Sequence, residues 1–145
     1  AKQLLIFPVY DLQGNLVLYQ GRYFGDNPKH PKYITSGRVS RTFDIHWNNP
    51  NDVSVVMVED FISAIKVSSV LTSMPMFGSN LNYSQLNRLS SMFSKLIWWI
   101  DPDKQTDYPK MINKSSIFFD SIHCIYSDFD PKYYSTAEIK CKVLI

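Results

Sequence analysis

The stretch Val53-Ser54-Val55-Val56-Met57-Val58-Glu59 decides how the rest of the chain is read. Its β-branched residues run on without the polar alternation of a half-exposed strand, which marks a strand buried on both faces, the habit of parallel sheets. A carboxylate follows it at once. Of the thirteen acidic residues eleven are aspartates, and Glu59 and Glu138 are the only glutamates.

Downstream, strand and helix patterns alternate. FISAIKVSS (61–69) reads as a short helix and VLTSMPMF (70–77) as the next strand, closed by Gly78. Asn82 with Gln85 three residues on has the form of a capping box, and Tyr83, Leu86, Leu89 and Phe93 follow at helical spacing. KLIWWI (95–100) is a third strand, in which the adjacent Trp98 and Trp99 must face opposite sides of the sheet. Pro109 suits the first turn of a third helix. SIHCIY (121–126) is a fourth strand, and STAEIKCKVLI (135–145) a closing helix or strand. Four strands joined by helical crossovers imply an α/β fold, a parallel four-stranded sheet with helices on both faces.

Upstream the pattern is β-rich. LLIFPVYD (4–11) and NLVLYQGRYF (15–24) flank a turn in which Gly14 supplies the positive φ of a hairpin. Pro8 puts the first strand at an edge or bends it there, and a short strand is expected around 33–35. The dense turn signal WNNPND (47–52) divides the chain into a small β-rich subdomain, residues 1–50, and an α/β domain, residues 51–145. From Gln20 to Thr42 five bases (Arg22, Lys29, Lys32, Arg38, Arg41) face Asp26 alone, whereas nine bases meet nine acids from Glu59 onward. A local basic stripe of this kind is either a solvated face or the footprint of a polyanion.

Composition bounds the function. The 145 residues are 45% apolar and 19% charged, enough for one core, and no apolar run approaches the roughly 20 residues of a membrane helix. The opening AKQLLIFPVYD reads as strand, not as a secretory leader. Cys124 and Cys141 are too few for a zinc ribbon or a disulfide framework and read as reduced, buried thiols of a cytoplasmic protein, with a single disulfide between them as the alternative. His30, His46 and His123 show no metal-ligand spacing.

In open parallel sheets, ligands bind beyond the carboxyl ends of the strands. Glu59-Asp60, Asp101-Pro102-Asp103 and Asp128-Phe129-Asp130 all follow strands here, so up to six carboxylates are expected on one edge. Such charges repel unless a cation sits among them. Mg²⁺ held by one or two carboxylates together with substrate phosphates answers that need; solvated or helix-capping aspartates are the plainer alternative.

VVMV followed by Glu59 and a helix, MF before Gly78, and LIWWI leading into Asp101-Pro102-Asp103-Lys104 resemble the Toprim domain of primases, topoisomerases and some nucleases. The resemblance covers roughly residues 53–132 and implies Mg²⁺, replaceable by Mn²⁺, on Glu59, Asp101 and Asp103. Asp130 of DFDPK (128–132) resembles a further primase aspartate. IFPVYDLQGNLVLYQGR (6–22) and PKYITS (31–36) are similar to the segment that precedes Toprim in bacterial-type primases, and they assign Arg22 and Lys32, together with Lys104, to nucleic acid or nucleoside triphosphate. The chain departs from the family's E-G-x-x-D, which here is Glu59-Asp60-Phe61-Ile62-Ser63, and from its glycine turn, replaced by Gln105-Thr106-Asp107-Tyr108-Pro109.

The resemblance implies a DNA primase: a DNA-directed RNA polymerase that makes short RNA primers on single-stranded DNA from NTPs, weak as an isolated domain. It further implies a replicative helicase or a zinc-binding module as partner, and a phage-type protein. A non-catalytic or nuclease-like Toprim protein that binds DNA is the alternative.

Overall fold

In the computed structural model, which describes residues 3–38, 42–78 and 80–144, the chain divides into two compact units, Ala1–Asp44 and Ile45–Ile145. The first is an antiparallel sheet in the order β1 (Leu4–Tyr10), β2 (Leu16–Tyr23), β3 (Tyr33–Gly37). Its hairpin forms as the sequence requires. Gly14, at φ 82°, donates to the Asp11 carbonyl, while the Asp11 side chain accepts from the amides of Gln13 and Asn15 at 3.0 and 2.8 Å. Pro8 lies on the edge strand, where its missing N–H costs little.

The second unit is a parallel sheet in the order β5-β4-β6-β7, built from β4 (Ser54–Val58), β5 (Ser73–Pro75), β6 (Lys95–Trp98) and β7 (Ser121–Cys124). Four helices accompany it: α1 (Phe61–Ser68), α2 (Tyr83–Ser90), α3 (Tyr108–Ser115) and α4 (Thr136–Val143). The alternation of strand side chains assigns the two faces. Val56, Val58, Ile97 and Trp99 form one core with Ala64 and Val67 of α1 and Ile139 and Val143 of α4. On the other face Trp98 lines a cavity with Leu86 of α2 and Met111 of α3, and its Nε1 donates to Ser115 Oγ at 3.4 Å. The two tryptophans do face opposite sides.

The expected strand 70–77 shortens to Ser73–Pro75: the Met76 amide still donates to the Val58 carbonyl at 2.8 Å, but Phe77 and Gly78 then turn away with φ of 57° and 77°. The closing segment is a helix. Ser135 and Glu138 form its capping box, which accounts for the second glutamate and holds the Glu138 carboxyl below its usual range through the Ser135 amide and hydroxyl. The Asn82–Gln85 box forms as well. Cys124 is half-buried and Cys141 is exposed on α4, so only one of the two thiols approaches the buried state expected, and they are not bonded to each other. No helix among the described residues is long and apolar enough to cross a membrane.

Candidate active site

Because β4 and β6 are adjacent and parallel, their carboxyl ends deliver Glu59-Asp60 and Asp101 to the same edge. Glu59 is 6% exposed, and both its oxygens are engaged. Oε2 accepts from the Asp101 amide at 2.8 Å, and Oε1 accepts from Lys104 Nζ at 2.7 Å. Lys104 reaches back because Asp101 caps a short 3-10 helix, Pro102–Asp107, whose first turn closes with the Lys104 amide on the Asp101 carbonyl at 2.9 Å.

Asp60 is the N-cap of α1. Its Oδ1 accepts from the Ser63 amide at 2.8 Å and its Oδ2 from Ser63 Oγ at 3.2 Å. The residue that stands where the resemblance has a second acid therefore anchors the carboxylate that stands where it has glycine. Lys132 Nζ completes the arrangement, 2.8 Å from Asp60 Oδ2 and 3.1 Å from Asp130 Oδ2.

Oxygens of Asp60, Asp101 and Asp130 lie within 4.8 Å of one another. Asp101 Oδ1 is buried and has no hydrogen-bond partner, an arrangement that is costly unless a cation or water completes it. A hard divalent cation fits the orphaned Asp101 oxygen and the carboxylates around it, of which Asp60 and Asp130 already share the Lys132 ammonium. The same crowding pushes the Asp101 carboxyl up to about 8, through burial first and then through the Glu59, Asp130 and Asp60 carboxylates.

That shift has a consequence for metal-free protein. An acid whose pKa is higher folded than unfolded stabilises the fold most at low pH, and that contribution fades as pH rises from about 4 to about 8. The melting temperature of metal-free protein should therefore fall by several degrees across this window. In Asp101→Asn the fall should be much shallower, as read by thermal melts in EDTA.

The structure brings Glu59, Asp101 and Lys104 into direct contact and sets Asp130 beside Asp101. Asp103 is exposed on the 3-10 helix and Asp128 is exposed after β7, so neither joins the cluster, and the edge is less crowded than the six acids expected. Two residues that the sequence reading left without a role hold the floor. Tyr108, fully buried, donates to the Ile125 carbonyl beyond β7, accepts from the Ile100 amide at 3.1 Å and lies 3.3 Å from the Trp98 carbonyl. Gln105 Nε2 donates to the Ile100 and Ser127 carbonyls at 3.2 and 3.3 Å. The segment replacing the family's glycine turn thus clamps the exits of β6 and β7 under Asp101.

In the other unit Arg22 pairs across the sheet with Tyr33. Its Nη1 donates to the tyrosine hydroxyl at 3.0 Å, and the guanidinium carbon lies 5.4 Å from the ring centre. Lys29, Lys32 and Arg38 are exposed; Arg41 lies outside the described residues.

With sheet order, strand-end acids and the preceding antiparallel sheet in place, solved structures supply the comparison. The chain superposes on the catalytic core of DnaG with a TM-score of 0.72 at 14% identity, over 90% of this chain and 47% of that one. This is the fold of a primase catalytic core, its second unit the four-stranded parallel sheet with flanking helices. The zinc-binding and RNA polymerase domains of the Aquifex aeolicus primase match at TM-score 0.69 and 19% identity, covering 96% of this chain and 39% of that one. A DnaG primase catalytic domain bound to single-stranded DNA matches at 0.65 and 16%, over 90% and 47%. The chain thus spans less than half the length of these three structures. Its sequence matches no protein-family model and no curated relative.

Proposed function

We propose that this chain is the nucleotidyl-transfer core of a DNA primase, joining NTPs into short RNA primers on single-stranded DNA. The observation that carries the reading is the orphaned Asp101 oxygen beside Glu59, at the parallel strand ends of a primase-core fold. Bound there, Mg²⁺ or Mn²⁺ would neutralise triphosphate charge and lower the pKa of the attacking 3′ hydroxyl.

The residues divide the remaining work. Glu59 and Asp101 hold the cation, with Asp130 across the site and Asp103, exposed on the 3-10 helix, as a further carboxylate ligand. Lys104, whose side chain is 47% exposed, is the movable partner; once released from Glu59 its ammonium is free to meet the triphosphate. Arg22 and Lys32 of the basic subdomain, residues 1–50, hold template or triphosphate, while the catalytic residues belong to the Toprim domain, residues 51–145. A zinc-binding module, as in the Aquifex aeolicus protein, or a replicative helicase is the partner that suits this reading, in the cytoplasm of a cell or phage-infected host.

One observation favours a second reading, a Toprim module that binds DNA without catalysis. Lys104 and Lys132 already neutralise acids that a metal would claim. Incubating the protein with NTPs, Mg²⁺ and a single-stranded template decides between them. Short oligoribonucleotides are expected; none, even from a fusion to a zinc-binding module that still binds DNA, would establish the module.

Arg22→Ala and Lys32→Ala should each weaken binding to single-stranded DNA and lower the slope of log K against log salt by about 0.7, one phosphate contact. Fluorescence anisotropy at several salt concentrations measures it, and unchanged slopes would return both residues to the solvated surface.

A further inference from the structure

Two lysines touch the acidic centre, and they differ in a way that bears on how many cations it takes. Lys104 is half-exposed and bonded to one carboxylate, Glu59. Lys132 is 5% exposed, and its ammonium lies between two carboxylates, Asp60 and Asp130. A buried ammonium is retained only where opposite charge compensates its lost hydration, and a buried pair broken from one side leaves an uncompensated charge. Lys104 can therefore yield to a divalent ion at little cost, whereas Lys132 cannot.

Asp60 points the same way. Its two oxygens already accept from the Ser63 amide, the Ser63 hydroxyl and Lys132, so it offers no oxygen free of a protein donor. Glu59 also has a donor on each oxygen, but one of them is the replaceable Lys104, and Asp101 offers an oxygen with no donor at all. The orphaned oxygen and the replaceable lysine share the Glu59–Asp101 side, while the fixed lysine and the saturated carboxylate share the Asp60–Asp130 side. The oxygens of Asp60, Asp101 and Asp130 that lie within 4.8 Å of one another could gather around a cation there too, but the Lys132 ammonium is already bonded to two of these three carboxylates.

We infer that the centre takes a single divalent cation, on the Glu59–Asp101 side, and that the Lys132 ammonium permanently fills the place of a second. The inference rests on the metal reading proposed above and specifies its stoichiometry. Lys132 is a positioning residue: it fixes Asp60 and Asp130 and caps the positive charge the site can gather. The four carboxylates Glu59, Asp60, Asp101 and Asp130 then share one mobile dication and one tethered monocation.

Mn²⁺ titration of the whole chain, by calorimetry and by electron paramagnetic resonance, tests it without reference to activity. Wild type should saturate at one Mn²⁺ per chain, with the spectrum of an isolated ion. Lys132→Met, which keeps the stem and removes the charge, should admit a second Mn²⁺ and show the spin coupling of a close pair; Lys132→Arg should stay at one. Two coupled ions in wild type would overturn the inference and leave the proposed function standing, as would a folded Lys132→Met that still takes one. No Mn²⁺ at all in wild type would remove both. Should Lys132→Met fail to fold, as circular dichroism would show, the wild-type stoichiometry still decides.

Discussion

Glu59→Gln should lower primer synthesis by at least about 100-fold, roughly 2.7 kcal/mol of barrier, while leaving the fold and the affinity for single-stranded DNA nearly unchanged. The expectation follows from how the two carboxylate oxygens are used. Oε2 accepts from the Asp101 amide, and a glutamine carbonyl can take over that bond, so the turn after β6 keeps its support. Oε1 accepts from Lys104 Nζ, where the glutamine would present an amide N–H₂ to an ammonium. The lysine is then released, and the site loses one of the anionic oxygens a hard cation needs. Glu59 is the informative choice because its neighbour Asp60 is already committed to Ser63 and Lys132. Gel-resolved products from labelled NTPs measure the first effect and anisotropy the second. Synthesis that survives in Glu59→Gln would show that the Glu59–Lys104 pair is structural and that the acidic edge is not where transfer occurs.

Much of this architecture can be read from side-chain patterning alone. The run Val53–Val58 reads as a strand covered on both faces, which holds for Val55 to Val58 while Val53 stays exposed ahead of β4, and Asn82 with Gln85 specified a helix start through chemistry local to four residues. The hairpin at Gly14 was equally local. The site was harder, because strand-end position brings acids to one edge without fixing where they point. Asp103, two residues beyond Asp101, is carried outward by the 3-10 helix that Pro102 begins, a turn no periodicity announces. Lys132 was hidden for a different reason. Its partner Asp60 lies 72 positions away, and a lysine beside aspartates in DFDPK reads as a local surface pair until the fold buries it. Gln105 and Tyr108 looked like departures from a family pattern; their function is a hydrogen-bonding geometry between two strand exits that exists only once the sheet has formed.

Tyr108 yields the largest expected loss of stability. Its ring is fully buried, and its hydroxyl meets the Ile100 amide and the Ile125 carbonyl, two backbone groups just past the ends of β6 and β7 where the ladder no longer pairs them. Burial pushes the phenol's pKa well above its ordinary value, so the hydroxyl keeps its proton and can always donate. Tyr108→Phe retains the packing and leaves those backbone groups short of a partner, at about 1–3 kcal/mol. Tyr108→Ala adds a cavity, for a total of about 3–5 kcal/mol, a large fraction of what holds a domain of this size together. Denaturant melts of both variants separate the two contributions. The Phe variant carries the functional content, because Ile100 directly precedes Asp101. Freed from Tyr108, the strand exit should let the Asp101 carboxylate wander, so Mn²⁺ affinity should fall several-fold at temperatures where the protein remains fully folded. A Phe variant that is destabilised yet binds Mn²⁺ as wild type would show that the Glu59 carboxylate on the Asp101 amide positions that residue by itself.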